Sequence, residues 1–185
     1  MPSLKEKYQK EIVPQMMKKF GFKNPMAAPS IRKVVINSSF GKDAATKTSG
    51  EREKIQIAVM QDLSLIAGQK TKLVKSKKSI AGFKLRKDLE IAAMATLRKG
   101  KMWDFLERLI YLSLPRSRDF KGIDPKSIDK KGNLTIGFKE HIFFPEIYTE
   151  KEKTIFGLEI TIVTNAKSRE EGLELYKLLG FPIKD

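Results

Sequence analysis

The chain of 185 residues carries few groups suited to bond-making chemistry. Its one histidine, His141, lies beside Phe143 and Phe144, and there is no cysteine. An isolated imidazole in an aromatic stretch reads as a packing residue before it reads as a general base. One histidine without cysteine leaves almost nothing from which to build a nitrogen or sulfur metal site, and it removes disulfides. Neither GxxxxGK[ST] nor GxGxxG occurs, so no loop of known type cradles a nucleotide phosphate. The carboxylates Glu51/Glu53 and Glu170/Glu171 fall where helix N-termini attract negative charge. A carboxylate–magnesium nuclease would need acids converging on segments that hold RNA, and here the acids cluster away from the basic stretches. No catalytic residue, metal ligand or cofactor is expected.

The basic residues are more informative. The net charge is +15, but it is unevenly spread: residues 1–139 carry +18 and residues 140–185 carry −3. Between Leu63 and Lys87 there is no acid at all, and the stretch Ala67–Phe83 holds Lys70, Lys72, Lys75, Lys77 and Lys78. Like charges this close repel, and a folded chain tolerates them most easily facing water or a polyanion. The small and hydroxylic residues among them, Ser76, Ser79, Ala81 and Gly82, let the backbone approach a surface closely. A second basic stretch, Arg116–Lys121, contains Phe120. Lysine neutralises phosphate, and arginine and aromatic faces stack on unpaired bases. A basic membrane-surface helix is the competing reading, but the lysine run has too few bulky apolar residues for one. No apolar run approaches a membrane span, and the N-terminal residues, charged from Lys5 onward, lack the apolar region of a signal peptide.

The elements that must position these residues follow from periodicity. Ser3 and Glu6 form a capping box before a helix with Leu4, Tyr8 and Ile12 on one face, kinked or restarted at Pro14. Ile31–Ser38 is a strand that turns Val34 and Ile36 one way and Lys33, Val35 and Asn37 the other. Gly41–Gly50 reads as a polar loop. Thr48 and Glu51 then cap a helix whose stripe is Ile55, Val59, Leu63 and Ile66, ending at Gly68. Leu73-Val74 and Ala81–Leu85 read as the arms of a hairpin with the lysines at its tip. Leu89–Leu97 is ambiguous between helix and strand. Met102–Ser113 is a helix with Met102, Phe105, Leu109 and Leu112 in register, stopped by Pro115. Strands follow at Leu134–Phe138 and Phe156–Ile162, and Ser168 and Glu171 open a last helix with Gly172, Leu175 and Leu179 inward. Interleaved helices and strands with hairpin-like turns argue an α+β fold with an antiparallel sheet. The length suits one domain spanning residues 1–185.

Four stretches carry a resemblance: LSLIAGQKTKLVKSKKSIAGFKLR (Leu63–Arg86), LRKGKMWDFLERLIYLSLPRSRDFKGI (Leu97–Ile123), GNLTIGFKEHIFFPEI (Gly132–Ile147) and TNAKSREEG (Thr164–Gly172). Together, in this order, they resemble the bacterial large-subunit ribosomal protein five family, which binds 5S ribosomal RNA. The resemblance implies helices covering one face of the sheet, a projecting basic hairpin loop, and a strand at Leu89–Leu97. It implies a non-enzymatic cytoplasmic protein of the large subunit that helps attach 5S rRNA in the central protuberance. Lys33, Asn37, Gln69, Lys70, Thr96 and Arg98 match the 5S-facing positions. The loop with Lys75, Ser76, Lys77, Lys78, Ser79 and Gly82 matches the one that reaches P-site tRNA. The segment with His141, Glu146, Glu150 and Glu152 matches the intersubunit bridge to a small-subunit head protein. Further implied partners are 23S rRNA and other 5S-associated ribosomal proteins, with no membrane. Three positions depart from the family pattern: Lys72 replaces an apolar residue, Val74 replaces Thr, and Lys99 replaces Gly, with Gly100 displaced by one.

Overall fold

A computed structural model describes residues 3–83, 85–117, 120–147 and 154–184. In chain order the helices are α1 (Leu4–Lys7), α2 (Val13–Phe20), α3 (Gly41–Thr46), α4 (Ser49–Ala67), α5 (Lys99–Arg108), α6 (Leu114–Arg116) and α7 (Arg169–Leu179). The strands are β1 (Ile31–Ser39), β2 (Lys72–Lys75), β3 (Glu90–Leu97), β4 (Leu134–Phe138) and β5 (Leu158–Thr164). They form a five-stranded sheet in the order β2-β3-β1-β5-β4. β2 and β3 pair antiparallel. The cross-strand bonds Phe40 N to Ile91 O and Asn165 N to Ser30 O fit antiparallel neighbours on both sides of β1. This is the expected α+β architecture.

Each strand alternates because successive side chains point to opposite sides. Val34, Ile36 and Ser38 of β1 are buried, and so are Ala93, Ala95 and Leu97 of β3 and Leu158, Ile160 and Ile162 of β5. The alternate residues, among them Lys33, Val35 and Asn37 of β1 and Met94 and Thr96 of β3, are half-exposed. Ala92–Ala95 favours helix by propensity, yet small side chains also suit a strand whose inner face lies under packed elements.

The chain groups into two compact units, Met1–Val34 with Leu97–Ile136 and Thr161–Asp185, and Val35–Thr96 with Gly137–Ile160. In the first, α1 opens with Ser3 Oγ accepting from Glu6 N at 3.3 Å. It is not broken at Pro14. It continues into α2 through a π turn at Tyr8–Ile12, where the Val13 N–H reaches Tyr8 O. Proline has no N–H to give and its ring collides with the carbonyl four residues back; a widened turn relieves both problems. The same device recurs at Leu109–Ser113, so the helix runs past Pro115 to Arg116 instead of stopping there. The extra residue in that turn shifts the buried stripe. Leu112 is 49% exposed, not inward, and Ser113 is buried in its place with no partner for its hydroxyl among the described residues. Leu4 N donates to Glu107 Oε2 at 3.2 Å, and the rings of Tyr8 and Trp103 lie 5.3 Å apart, which ties α1 to α5. On α7, Gly172, Leu175 and Leu179 are buried, as the spacing predicts. The helix lies so close to the turn before β4 that a Cβ on Gly172 would sit 2.5 Å from Gly132 Cα. Tyr176 directs its hydroxyl to Gly132 O at 3.0 Å, and burial pushes the phenol well above its ordinary range.

In the second unit, α3 occupies part of the stretch expected as loop at Gly41–Gly50. α4 begins at the expected capping box, with Thr48 N donating to Glu51 Oε2 at 3.1 Å. It ends at Gly68, whose φ of +63° is the left-handed turn glycine adopts without strain. Ile55, Val59, Leu63 and Ile66 are all buried. The hairpin differs from the expected one. Its arms are β2 and β3, in the register Lys72↔Met94, Leu73↔Ala93 and Val74↔Ala92, with a bulge before Lys75↔Glu90. Ala81–Phe83 is a 3-10 turn within the connection, and among the described residues only Ile80 and Leu85 bridge there. The glycine and lysines around it cannot bury an apolar face, so the ladder passes to β3, which can.

Candidate nucleic-acid interface

The half-exposed face of the sheet is polar at its basic end. In an antiparallel ladder, residues directly opposite each other share a face. Lys72, opposite Met94, therefore stands on the same side as Thr96, two residues further along β3. Lys72 is exposed on β2 and adds a cation to this face. On β1 the open side presents Lys33, Val35 and Asn37 in alternation. The Asn37 carboxamide is half-buried and has no hydrogen-bond partner among the described residues. A half-exposed carboxamide offers donors and an acceptor that a ligand can pair with.

Gln69 and Lys70 are placed by the left-handed turn at Gly68. Gln69 Nε2 donates to Thr96 O at 3.0 Å, which pins the α4–β2 connection beside β3. Thr71 anchors the next step: its backbone N–H donates to Ser64 Oγ at 3.2 Å and its hydroxyl to Met60 O at 3.2 Å. Lys70 is left exposed. Gln69, Lys70, Asn37 and Thr96 thus fall in one unit of the fold. In the other unit, Lys33 lies near the start of β1, and Arg98 N-caps α5, exposed and without a side-chain capping bond. Lys99 follows with φ of +53°, a backbone conformation that glycine favours.

The lysine loop folds on its own bonds. Ser76 is buried at its base: its hydroxyl donates to Arg86 O and accepts from Leu89 N at 3.2 Å, and its N–H donates to Leu89 O at 2.8 Å. Ser76 is therefore a staple holding the loop closed, and its side chain does not belong to the outer surface expected of it. Lys75, Lys77, Lys78, Ser79 and Gly82 are exposed. Ser79 Oγ donates to Leu85 O at 3.0 Å. Phe83 is 70% exposed at the far end, a large ring in water beside cations.

The bridge segment requires one correction. His141 is fully buried, stacked on Phe156 with centroids 3.7 Å apart, and its Nε2 lies 3.5 Å from Asp62 Oδ2. Its ring presents nothing to a partner; it packs the unit, as an imidazole among aromatics is expected to. Glu146 is half-buried, and Glu150 and Glu152 lie outside the described residues. Two contributions escaped the reading of the chain. Lys72 joins the open face through its alternation with Leu73, which faces buried Ala93, and this was legible once β2 was paired correctly. Lys47 and Arg52 come to lie near the loop, and no local signal foretells that. Among the described residues no helix is long and apolar enough to cross a membrane.

Among the described residues, a half-exposed sheet face and a loop of exposed cations make a surface suited to a polyanion. Comparison with known proteins makes this specific. Residues 24–86 match the family model described as ribosomal protein L5, and residues 90–183 match the model that describes the C-terminus of the same ribosomal family. The chain is 49% identical to the large ribosomal subunit protein uL5 of Geotalea daltonii, with all of both chains covered. It is 50% identical to that of Dictyoglomus turgidum, covering 100% of this chain and 99% of the relative. With that of Clostridium tetani it shares 44% identity over 98% of each. The chain belongs to the ribosomal protein L5 (uL5) family, and its role is structural, within the large ribosomal subunit, without catalysis.

Proposed function

We propose that the chain acts as one RNA-binding domain across residues 1–185 that holds 5S rRNA on the open face of its sheet and helps seat it, against 23S rRNA and other 5S-associated proteins, in the central protuberance. Asn37, Gln69, Lys70 and Thr96 contact ribose and backbone, with Lys33, Arg98 and also Lys72 supplying charge. The lysine loop reaches P-site tRNA through Lys75, Lys77, Lys78, Ser79 and the bare backbone at Gly82, while Ser76 keeps it folded. The segment with Glu146, Glu150 and Glu152 meets a basic small-subunit head protein; His141 supports it from within. The observation that supports the 5S reading is the half-exposed sheet face that presents Lys33 and Asn37 on β1 and Thr96 on β3.

The test separates the two RNA surfaces. Asn37→Ala is expected to weaken binding to a 5S rRNA transcript by about 1–3 kcal/mol, the cost of leaving interface partners unpaired. Lys77→Ala with Lys78→Ala is expected to leave 5S affinity nearly unchanged and to weaken binding of a tRNA transcript. A loop variant that loses 5S rRNA instead overturns the division.

A further inference from the structure

Two clefts in the second unit share Arg52 and Leu89 in their walls. One, of about 400 Å³, carries the acids Glu53, Asp88 and Glu90. The other, of about 500 Å³, is lined by Lys47, Arg52, Arg86 and Ser79 among small and apolar residues, and none of the described residues lining it is acidic. Lys47 and Arg52 come from the α3–α4 connection and the start of α4. Arg86 and Ser79 come from the lysine loop. Only tertiary folding brings them to one wall.

We propose that this second cleft is a phosphodiester-binding site that grips the backbone of the RNA lying on the lysine loop. Cations of one sign around a concave wall reinforce one another's field and draw in an anion. Arg52 Nε donates to Thr48 O at 3.5 Å, which ties the guanidinium to the cap of α4. Ser79 turns its proton to Leu85 O, so the cleft's charge comes from its cations. Ala45 and Ala81 leave room for a sugar-phosphate chain. The lining has no aromatic ring to stack a base and no carboxamide to read one, so the site takes backbone irrespective of sequence. The loop's own exposed lysines, Lys75, Lys77 and Lys78, continue the same charge outward. The identity of the RNA, tRNA, rests on the reading of the loop given above.

The experiment measures binding of a tRNA transcript and a 5S rRNA transcript to the full chain as salt is raised. Each phosphate contact adds about 0.7–0.9 to the slope of log affinity against log salt. Lys47→Gln with Arg52→Gln is expected to flatten the tRNA slope by roughly 1.5 and leave the 5S slope unchanged. Arg52→Lys, which keeps the charge, is expected to retain its share of the slope, and Lys54→Gln on the same helix serves as a control for fold and net charge. An unchanged tRNA slope in the double variant, while Lys77→Ala with Lys78→Ala weakens tRNA, overturns the cleft and leaves the loop reading standing. If the cleft variant weakens tRNA and the loop variant does not, the loop reading falls and the cleft survives. If neither weakens it, both fall. A loss confined to 5S rRNA overturns the assignment of the cleft to the loop's RNA.

Discussion

Lys99 holds a φ of +53° where the chain leaves β3 and enters α5. A side chain in the left-handed region costs about 1–2 kcal/mol, because Cβ crowds the following carbonyl. Replacing it with glycine removes that cost but returns about 0.4–1 kcal/mol to the unfolded chain as extra freedom. Lys99→Gly is therefore expected to stabilise the fold by roughly 0.5–1 kcal/mol, while Lys99→Ala, which keeps the Cβ, is expected to bring no such gain. Thermal unfolding of the two variants beside the parent checks this; equal midpoints for glycine and alanine would show that the position is unstrained. Asp88, with φ of +63° just before β3, sits in the same region, one that a short polar side chain tolerates better. At this scale the sequence was a good guide to types and a poor guide to exposure. Lys33 and Asn37 were placed on one face by alternation alone, whereas Thr96 rested on the resemblance. Ser76 was expected on the outer surface of the loop and is buried, because a hydroxyl can be satisfied inside the fold by partners distant in the chain.

Elements meet most tightly where α7 crosses the turn before β4. Asp129 ties that turn, accepting from the N–H groups of Lys131 and Asn133 at 2.8 Å each, and Gly132 has φ of +72°. A methyl group on Gly172 meets backbone rather than a side chain that can swing away. Gly172→Ala is expected to cost about 1–3 kcal/mol, the range for overpacking a rigid contact. Gly100→Ala, with nothing near its would-be Cβ, is expected to be neutral or mildly stabilising. Chemical denaturation of both variants decides it, and equal stabilities would mean that α7 can slide away from the turn. The π turns before Pro14 and Pro115 carry the clearest lesson about elements. Apolar spacing found both helices, but a strict 3.6-residue period put Leu112 inside; one added residue moved the stripe to Ser113. Proline announces that a helix must adjust. It does not announce whether the helix will stop or widen.

Over the whole molecule, charge sets the behaviour. With a net charge of +15, and Lys33, Lys70, Lys72 and Arg98 assigned to the 5S surface, binding of 5S rRNA is expected to weaken steeply with salt. Four phosphate contacts correspond to a log–log slope of roughly −3 to −4. Affinity that stays flat from low to physiological salt would remove the electrostatic basis of the interface. The charge asymmetry, the acid-free window, the cap residues and the alternation of β1, β4 and β5 were all legible in the chain, because each depends on residues a few positions apart. The pairing of β2 with β3, the burial of Ser76, and the meeting of Lys47 and Arg52 with Arg86 were not. Those depend on which distant segments come into contact, and contact follows from the packing of the entire core. Local pattern says which side chains an element can offer; the fold chooses which are covered and which are left to bind.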